Sequence, residues 1–307
     1  MVSNFNFVSF IERLFFKPSI LDWVVIFLLF PLAFIYGMVM LIRRLITSPK
    51  RYNVPIISIG NLTVGGSGKT PFVIALASRY EETFILSRGY GRQSHGLIEV
   101  SQRGKIVTDV YHSGDEPMLM AQSLPHASVI VSENRKIAID LAIQKGAKVI
   151  FLDDGFNRVD IDKLDILLFP QKIRNYFPFP AGPFREFYWT KGLADLNLVE
   201  NHDFHRLVEI DNLQSQMVLV TAISNPERLD AFLPEGVVDR IYLEDHAYFD
   251  EQNLHDILVA SNATSLLVTE KDEVKMENFK LPLSVMRLKL QIKNEVFDKV
   301  DSYIKSH

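Results

Sequence analysis

The sequence predicts an α/β protein: a mostly parallel sheet flanked by helices, with an apolar membrane helix ahead of it and a second, smaller α/β domain behind. Three observations predict it. Residues 54–77 read as a β-branched run, a glycine-rich turn and an apolar helix. Strand-like and helix-like stretches then alternate along the chain, as they do in parallel sheets. Residues 23–42 carry no charge at all. At 307 residues the chain exceeds what one core usually holds. The expected division is an amphipathic segment and membrane helix at 1–45, a first α/β domain at 46–205 and a second at 206–307.

Composition narrows the function classes. With 48% hydrophobic and 23% charged residues the chain is a folded protein, and a net charge of −4 argues against a general nucleic-acid binder. The absence of cysteine removes disulfides, thiol nucleophiles and thiolate metal sites, and suits a cytoplasmic setting. No feature of the sequence points to an obligate protein partner.

Residues 1–20 place Phe5, Phe7, Phe10, Phe15 and Phe16 among Glu12, Arg13 and Lys17, a pattern suited to a membrane surface. The uncharged run 23–42 is about 30 Å long as a helix, enough to cross a hydrocarbon core. Arg43 and Arg44 follow at once, so the positive-inside rule puts the rest of the chain in the cytoplasm. Pro31 and Gly37 keep a second arrangement open, in which the helix packs on the globular part or lies in the interface.

The stretch Thr63, Val64, Gly65, Gly66, Ser67, Gly68, Lys69, Thr70 sits between strand and helix, which is the P-loop arrangement. Glycines there allow the positive φ that turns backbone N–H groups toward an anion. Lys69 is placed for the β and γ phosphates of a nucleotide and the Thr70 hydroxyl for magnesium. Pro71 suits a first helical turn. The motif departs from G-x-x-x-x-G-K-[ST] in having Thr63 where glycine is usual.

Strands are expected at 83–86, 129–131, 147–152 and 165–169, with a helix at 134–144. The first ends in Ser87-Arg88-Gly89-Tyr90-Gly91-Arg92, where doubly wound sheets place ligands; Arg88, Tyr90 and Arg92 are either substrate contacts or a basic turn. Gly114-Asp115-Glu116-Pro117 opens a helix, so Asp115 is either a cap or a functional acid, and a cap accounts for only one of the two carboxylates. Asp153 and Asp154 end an apolar strand downstream of the P-loop, the Walker-B position for magnesium. Residues 176–189 form a Pro- and aromatic-rich loop presenting Arg185 and Glu186, with its rings facing lipid or packed inside. His202-Asp203-Phe204-His205 reads as a solvated linker. The second unit begins at 217–220, continues with a helix at 226–232 and strands at 240–243, 265–268 and 288–292, and ends in a helix. Its acid-flanked His246 is either structural or functionally tuned.

Taken together, 60–71 (G-N-L-T-V-G-G-S-G-K-T-P), 87–92 (S-R-G-Y-G-R), 114–117 (G-D-E-P), 152–156 (L-D-D-G-F), 180–186 (P-A-G-P-F-R-E), 245–246 (D-H) and 269–272 (T-E-K-D) resemble the tetraacyldisaccharide 4′-kinase family of lipid A biosynthesis. The resemblance implies ATP- and magnesium-dependent phosphorylation of a tetraacylated glucosamine disaccharide 1-phosphate on the cytoplasmic face of the inner membrane. It implies Asp115 as catalytic base with His246 as its partner, and Thr70, Glu116, Asp153 and Asp154 around the metal. Lys69 would serve the nucleotide, and Arg135, Arg185 and Glu186 phosphates or substrate. Asn157-Arg158 stand where the family has Gln-His, and Ala247 where it has a second His. The competing class is a membrane-tethered P-loop switch or chaperone acting on a protein partner; 269–272 misses the guanine-selecting N-K-x-D by having Glu270 in place of Asn.

Overall fold

The computed structural model of the chain describes residues 7–65 and 68–307. Phe5 of the amphipathic segment, and Gly66 and Ser67 of the P-loop, lie outside the described residues. In chain order, α1 (Phe7–Phe16) and α2 (Asp22–Ile46) lead into β1 (Ile56–Gly60), α3 (Lys69–Ala77) and β2 (Thr83–Ser87). An edge pair follows, β3 (Ile98–Gln102) and β4 (Lys105–Ile106), then α4 (Val110–Ser113), α5 (Asp115–Ser123), β5 (Ser128–Val131) and α6 (Arg135–Gln144). β6 (Val149–Asp153), β7 (Leu164–Phe169) and β8 (Leu196–Val199) complete the first unit. Among the described residues these strands form one sheet in the order β4-β3-β5-β2-β6-β1-β7-β8, antiparallel only at the β3 and β4 edge.

The reason is legible in the strands. β1, β2, β5, β6 and β7 are buried at every residue, as strands covered on both faces must be. Alternate residues serve opposite layers: Ile57 and Ile59 meet α3 and α5, whereas Ile56 meets α6 through Ile139 and Ala142.

The second sheet is built from β9 (Phe204–Asp211), β10 (Met217–Thr221), β11 (Val237–Tyr242), β12 (Ser265–Thr269) and β13 (Leu283–Ile292), with α7 (Glu251–Ala260), α8 (Glu270–Glu273) and α9 (Asn294–Lys305). Its strand order is β11-β10-β12-β13-β9, with β9 antiparallel to β13. The helix expected at 226–232 is a 3₁₀ segment. The expected linker at 202–205 instead opens β9, and Phe204 is fully buried. Phe204 lies 5.4 Å from Phe72 of the P-loop helix, ring edge to ring face. α3 is thus held between the two sheets.

The expected boundary at 206 falls just inside β9, and the tail does not stay with the second unit. Val296 and Val300 of α9 are buried in the core of the first sheet, with Phe72, Leu76 and Phe151. Tyr80 Oη donates to Asp301 at 2.7 Å and Arg79 stacks on Phe297. α9 therefore closes the first core.

α2 is long and apolar enough to cross a membrane, and along one side it packs on the first unit. Phe27 and Phe30 meet Phe177 with ring centroids 6.3 and 5.3 Å apart, and Phe34 meets Phe187 at 5.9 Å. Gly37 is needed where it is, because a Cβ there would lie 2.6 Å from the Phe187 ring. Arg43 donates to the Asn157 carbonyl at 2.6 Å, and Arg44 makes a two-point bond to Glu186 at 2.9 and 3.0 Å. Both arginines credited with setting topology are tied to the first unit. Of the two arrangements open to the aromatic loop, these rings take the packed one: Phe184 is buried under the P-loop, and Phe177 and Phe187 pack on α2.

Candidate active site

The carboxyl ends of β1, β2 and β6 converge where α3 begins, the usual place for ligands in such sheets. Gly65 and Gly68 take φ of +90° and +76°, conformations that side chains resist, and Gly68 directly precedes α3. The loop is backed by the segment 180–186. Thr63 bridges Phe184, Val64 N–H donates to the Pro183 carbonyl at 2.8 Å, and Arg185 N–H donates to Leu62 at 2.7 Å. That ladder delivers the Arg185 side chain to Asp154, at 2.8 and 3.0 Å.

Lys69 Nζ donates to Asn61 Oδ1 at 3.1 Å and stands 3.6 Å from Asp154. Asp154 adopts φ of +54°, a strained backbone for a non-glycine residue, which turns it from the strand toward the P-loop. Burial pushes its carboxyl up, but Lys69 and Arg185 bring it below the usual range. Thr70 is buried in the first turn of α3.

Asp153 behaves oppositely. Burial, with the neighbouring charge of Glu116, pushes it up to about 6. One of its oxygens accepts from Ser87 at 3.0 Å; the other is buried without a partner. An orphaned carboxylate oxygen beside Glu116 and the Thr70 end of the P-loop fits a divalent cation. Among the described residues no cluster of three or more His, Asp or Glu forms a cage by itself. Magnesium held by one or two carboxylates plus substrate phosphates does not need one.

Asp115 and His246 meet across the two sheets. His246 Nδ1 lies 2.9 and 3.0 Å from the two Asp115 oxygens. Asp115 is 4% exposed. It is not the helix cap: Gly114 occupies that position, and one Asp115 oxygen accepts from the Glu116 N–H at 2.9 Å. His246 has φ of +63°, and its ring rests on Gly91, where a Cβ would lie 3.2 Å from it, with Tyr90 5.4 Å away. The hydrogen bond to Asp115 raises the imidazole pKa, with burial opposing. Burial pushes Asp115 up, yet His246, Lys271 and Lys275 hold it below the ordinary carboxylate range.

Lys271 and Lys275 were missed in the sequence. Lys271 reaches Glu116 at 3.3 Å, Asp115 at 3.7 Å and Asp245 at 3.8 Å. Lys275 reaches Asp115 at 3.8 Å and donates to the Ala247 carbonyl at 2.9 Å. The signal was the T-E-K-D motif itself. Thr269 and Asp272 form a capping box that starts α8, and Asp272 also binds Thr221 at 2.6 Å and the Ala222 N–H at 2.9 Å.

Three expected substrate contacts are spent internally. Arg92 is buried against Glu133 and the Gly96 carbonyl, so it braces the 87–92 turn. Arg135 donates to the backbone carbonyls of Ser132 at 2.6 Å and Asp153 at 3.0 Å, and thereby holds the Asp153 backbone from behind. Glu186 is buried against Arg44. Arg88 and Tyr90 remain exposed at the cleft.

A family model described as tetraacyldisaccharide-1-P 4′-kinase matches residues 25–305. A tetraacyldisaccharide 4′-kinase of Helicobacter pylori strain J99 is 46% identical over 97% of this chain and 96% of its own length. That of Aliarcobacter butzleri is 43% identical, covering 96% of this chain and 97% of its own. A crystal structure described as the "apo" form of LpxK from Aquifex aeolicus in complex with ATP superposes with a TM-score of 0.78 at 27% identity, over 91% of this chain and 99% of that one. The chain belongs to the tetraacyldisaccharide 4′-kinase family.

Proposed function

We propose that the chain transfers the γ-phosphate of ATP to the 4′-hydroxyl of a tetraacylated glucosamine disaccharide 1-phosphate, giving lipid IVA, with magnesium and at the cytoplasmic face of the inner membrane. The observation that carries this reading is the Asp115–His246 pair, joined at 2.9 Å between the two units. A nucleotide switch has no use for a buried carboxylate and imidazole joined in this way, whereas a sugar hydroxyl needs its proton removed. The 269–272 turn is spent on α8 and on Asp115 and does not select a base.

Asp115 takes the hydroxyl proton as the sugar oxygen forms its bond to the γ-phosphorus and the bond to the departing ADP oxygen breaks. His246 orients the Asp115 carboxylate and supports it through the transfer. Lys69 and Arg185 meet the charge that accumulates on the transferred group, and Asp154 holds both cations in register beforehand. Thr70, Asp153 and Glu116, with Asp154 beside them, would hold magnesium. Bound there, magnesium would supply positive charge to offset that of the phosphates. The test is direct: full-length protein is incubated with ATP, magnesium and the lipid disaccharide monophosphate. A second phosphate on the lipid, lost on adding a chelator, is expected; ATP hydrolysis without lipid phosphorylation would favour the switch.

The membrane reading rests on the outer face of α2. Val24, Leu28, Leu32, Ile35, Val39 and Ile42 follow helical spacing and are exposed, opposite the face docked on the aromatic loop. A helix apolar all round and docked lengthwise along one side fits an in-plane position at the interface, with its outer stripe in lipid. Changing Leu32 and Ile35 together to Glu should reduce co-flotation with anionic lipid vesicles more than tenfold, since each buried aliphatic side chain contributes about 1.5–3 kcal/mol. ATP binding should be retained; unchanged flotation would remove α2 from the membrane contact.

A further inference from the structure

The outer rim of the P-loop carries two arginines that the transfer chemistry does not use. β9 alternates inward and outward residues, and Arg206 falls on the inward side with Phe204, Val208 and Ile210. Its guanidinium lies against the loop: a Cβ at Gly68 would be 2.5 Å from Nη2 and 3.2 Å from Cζ. Arg206 Nε donates to Glu200, just beyond β8, and both side chains are mostly buried. Arg228, from the 3₁₀ segment Pro226–Phe232, stands close by. Burial lowers its pKa, and the charge of Arg206 lowers it further, with Glu200 opposing. Arg206, under the charge of Arg228, thus lies beside a loop built for phosphate.

Strand order says which part of the nucleotide they meet. Asp153 and Asp154 end β6, on one side of β1, and the acceptor machinery of Asp115 lies on that side too. The transferable phosphate must point there. β7 and β8 flank β1 on the other side, so the nucleoside end leaves the loop over their carboxyl ends, where Glu200 and Arg206 stand, within the field of Arg228. We propose that Arg206 and Arg228 form a second anion site, contributed by the second sheet, that binds the non-transferred phosphates of the nucleotide at the nucleoside side of the P-loop. The proposal rests on ATP being the phosphate donor. It makes ATP and ADP equivalent ligands of the arginines, and it makes the nucleotide a bridge between the two sheets.

Calorimetric titration of the full chain with ATP and with ADP tests it. R206Q and R228Q should each weaken both nucleotides by a similar factor, about tenfold, the size of one charge-assisted hydrogen bond. R206K, which keeps the charge, should stay within a few-fold of the parent. E200Q should bind at least as tightly as the parent, because it releases Arg206 toward the ligand. Parental affinity in R206Q and R228Q overturns the proposal. A loss for ATP alone also overturns it, since the contact would then be to the transferred phosphate. So does a loss in E200Q equal to that in R206Q, which would mark a structural ion pair. If R206Q does not fold, R228Q and R206K carry the same comparison. A parent that binds neither nucleotide overturns the kinase reading itself, an outcome distinct from a binding parent with unaffected variants.

Discussion

Asp115→Asn should lower turnover by roughly 10³-fold, the scale of one general base, while ATP binding persists. Asn matches Asp in shape and can still accept from the Glu116 N–H and from His246, but it takes up no proton. The buried cations around it keep other partners: Lys271 has Glu116 and Asp245, and Lys275 has Asp272 and the Ala247 carbonyl. The variant should therefore fold, with a loss of about 1–3 kcal/mol from the missing charge. His246→Ala in the parent should cost much of the same activity, and in the Asp115→Asn background much less, because the imidazole acts through the carboxylate. Losses that multiply would show that the two are not a unit.

The same pair has a stability signature. His246 has a raised pKa, so its contribution is complete below the unfolded-state value of 6.5 and fades as pH rises through the folded value. Asp115 has a lowered pKa, so its contribution is complete above 3.8 and fades as pH falls through the folded value. Melting of the parent and of His246→Gln should differ most between about pH 4 and 6.5 and converge outside that window. A difference independent of pH would mean that packing, not charge, holds His246.

Lys69→Ala should also reduce transfer by roughly 10³-fold, since it removes the loop's own cation from the developing charge. The fold should survive. Asp154 keeps both Arg185 bonds, and Asn61 keeps its contact with Thr63 at 3.4 Å. Near-normal turnover by a folded Lys69→Ala protein would sink the P-loop assignment. Arg185 does not replace it: its side chain is already engaged by both oxygens of Asp154.

Much of the first sheet was legible because its signals are local. The β1-loop-α3 passage, the acid pair after β6 and the apolar runs of β2, β5 and β7 each announce themselves within about ten residues. What stayed hidden depends on distant partners. Arg92, Arg135 and Glu186 look like any charged residues beside a turn, and only the fold supplies Glu133, the Asp153 carbonyl and Arg44 as their mates. Lys271 and Lys275 lie four apart on one side of a helical turn, which suggests a charged surface; their carboxylate partner Asp115 is more than 150 residues upstream. β9 escaped for another reason. Its alternation was present, but His205 and Arg206 diluted it, and a cation on the inward side is the opposite of what a half-buried strand usually carries. α2 was found by hydropathy, yet hydropathy does not distinguish a helix surrounded by lipid from one with aromatic side chains along one side.

The return of α9 to the first core has a consequence for biosynthesis. Proteins commonly complete their amino-terminal unit while the rest is still being translated. Here Phe72 and Leu76 are covered by Val296 and Val300, so the core of the nucleotide-binding half is complete only once α9 has been made. During that interval α2 has already emerged, while the ring of Phe187 that will cover Gly37 is about 150 residues behind it. The nascent chain therefore presents an uncovered apolar helix long before the enzyme around it exists.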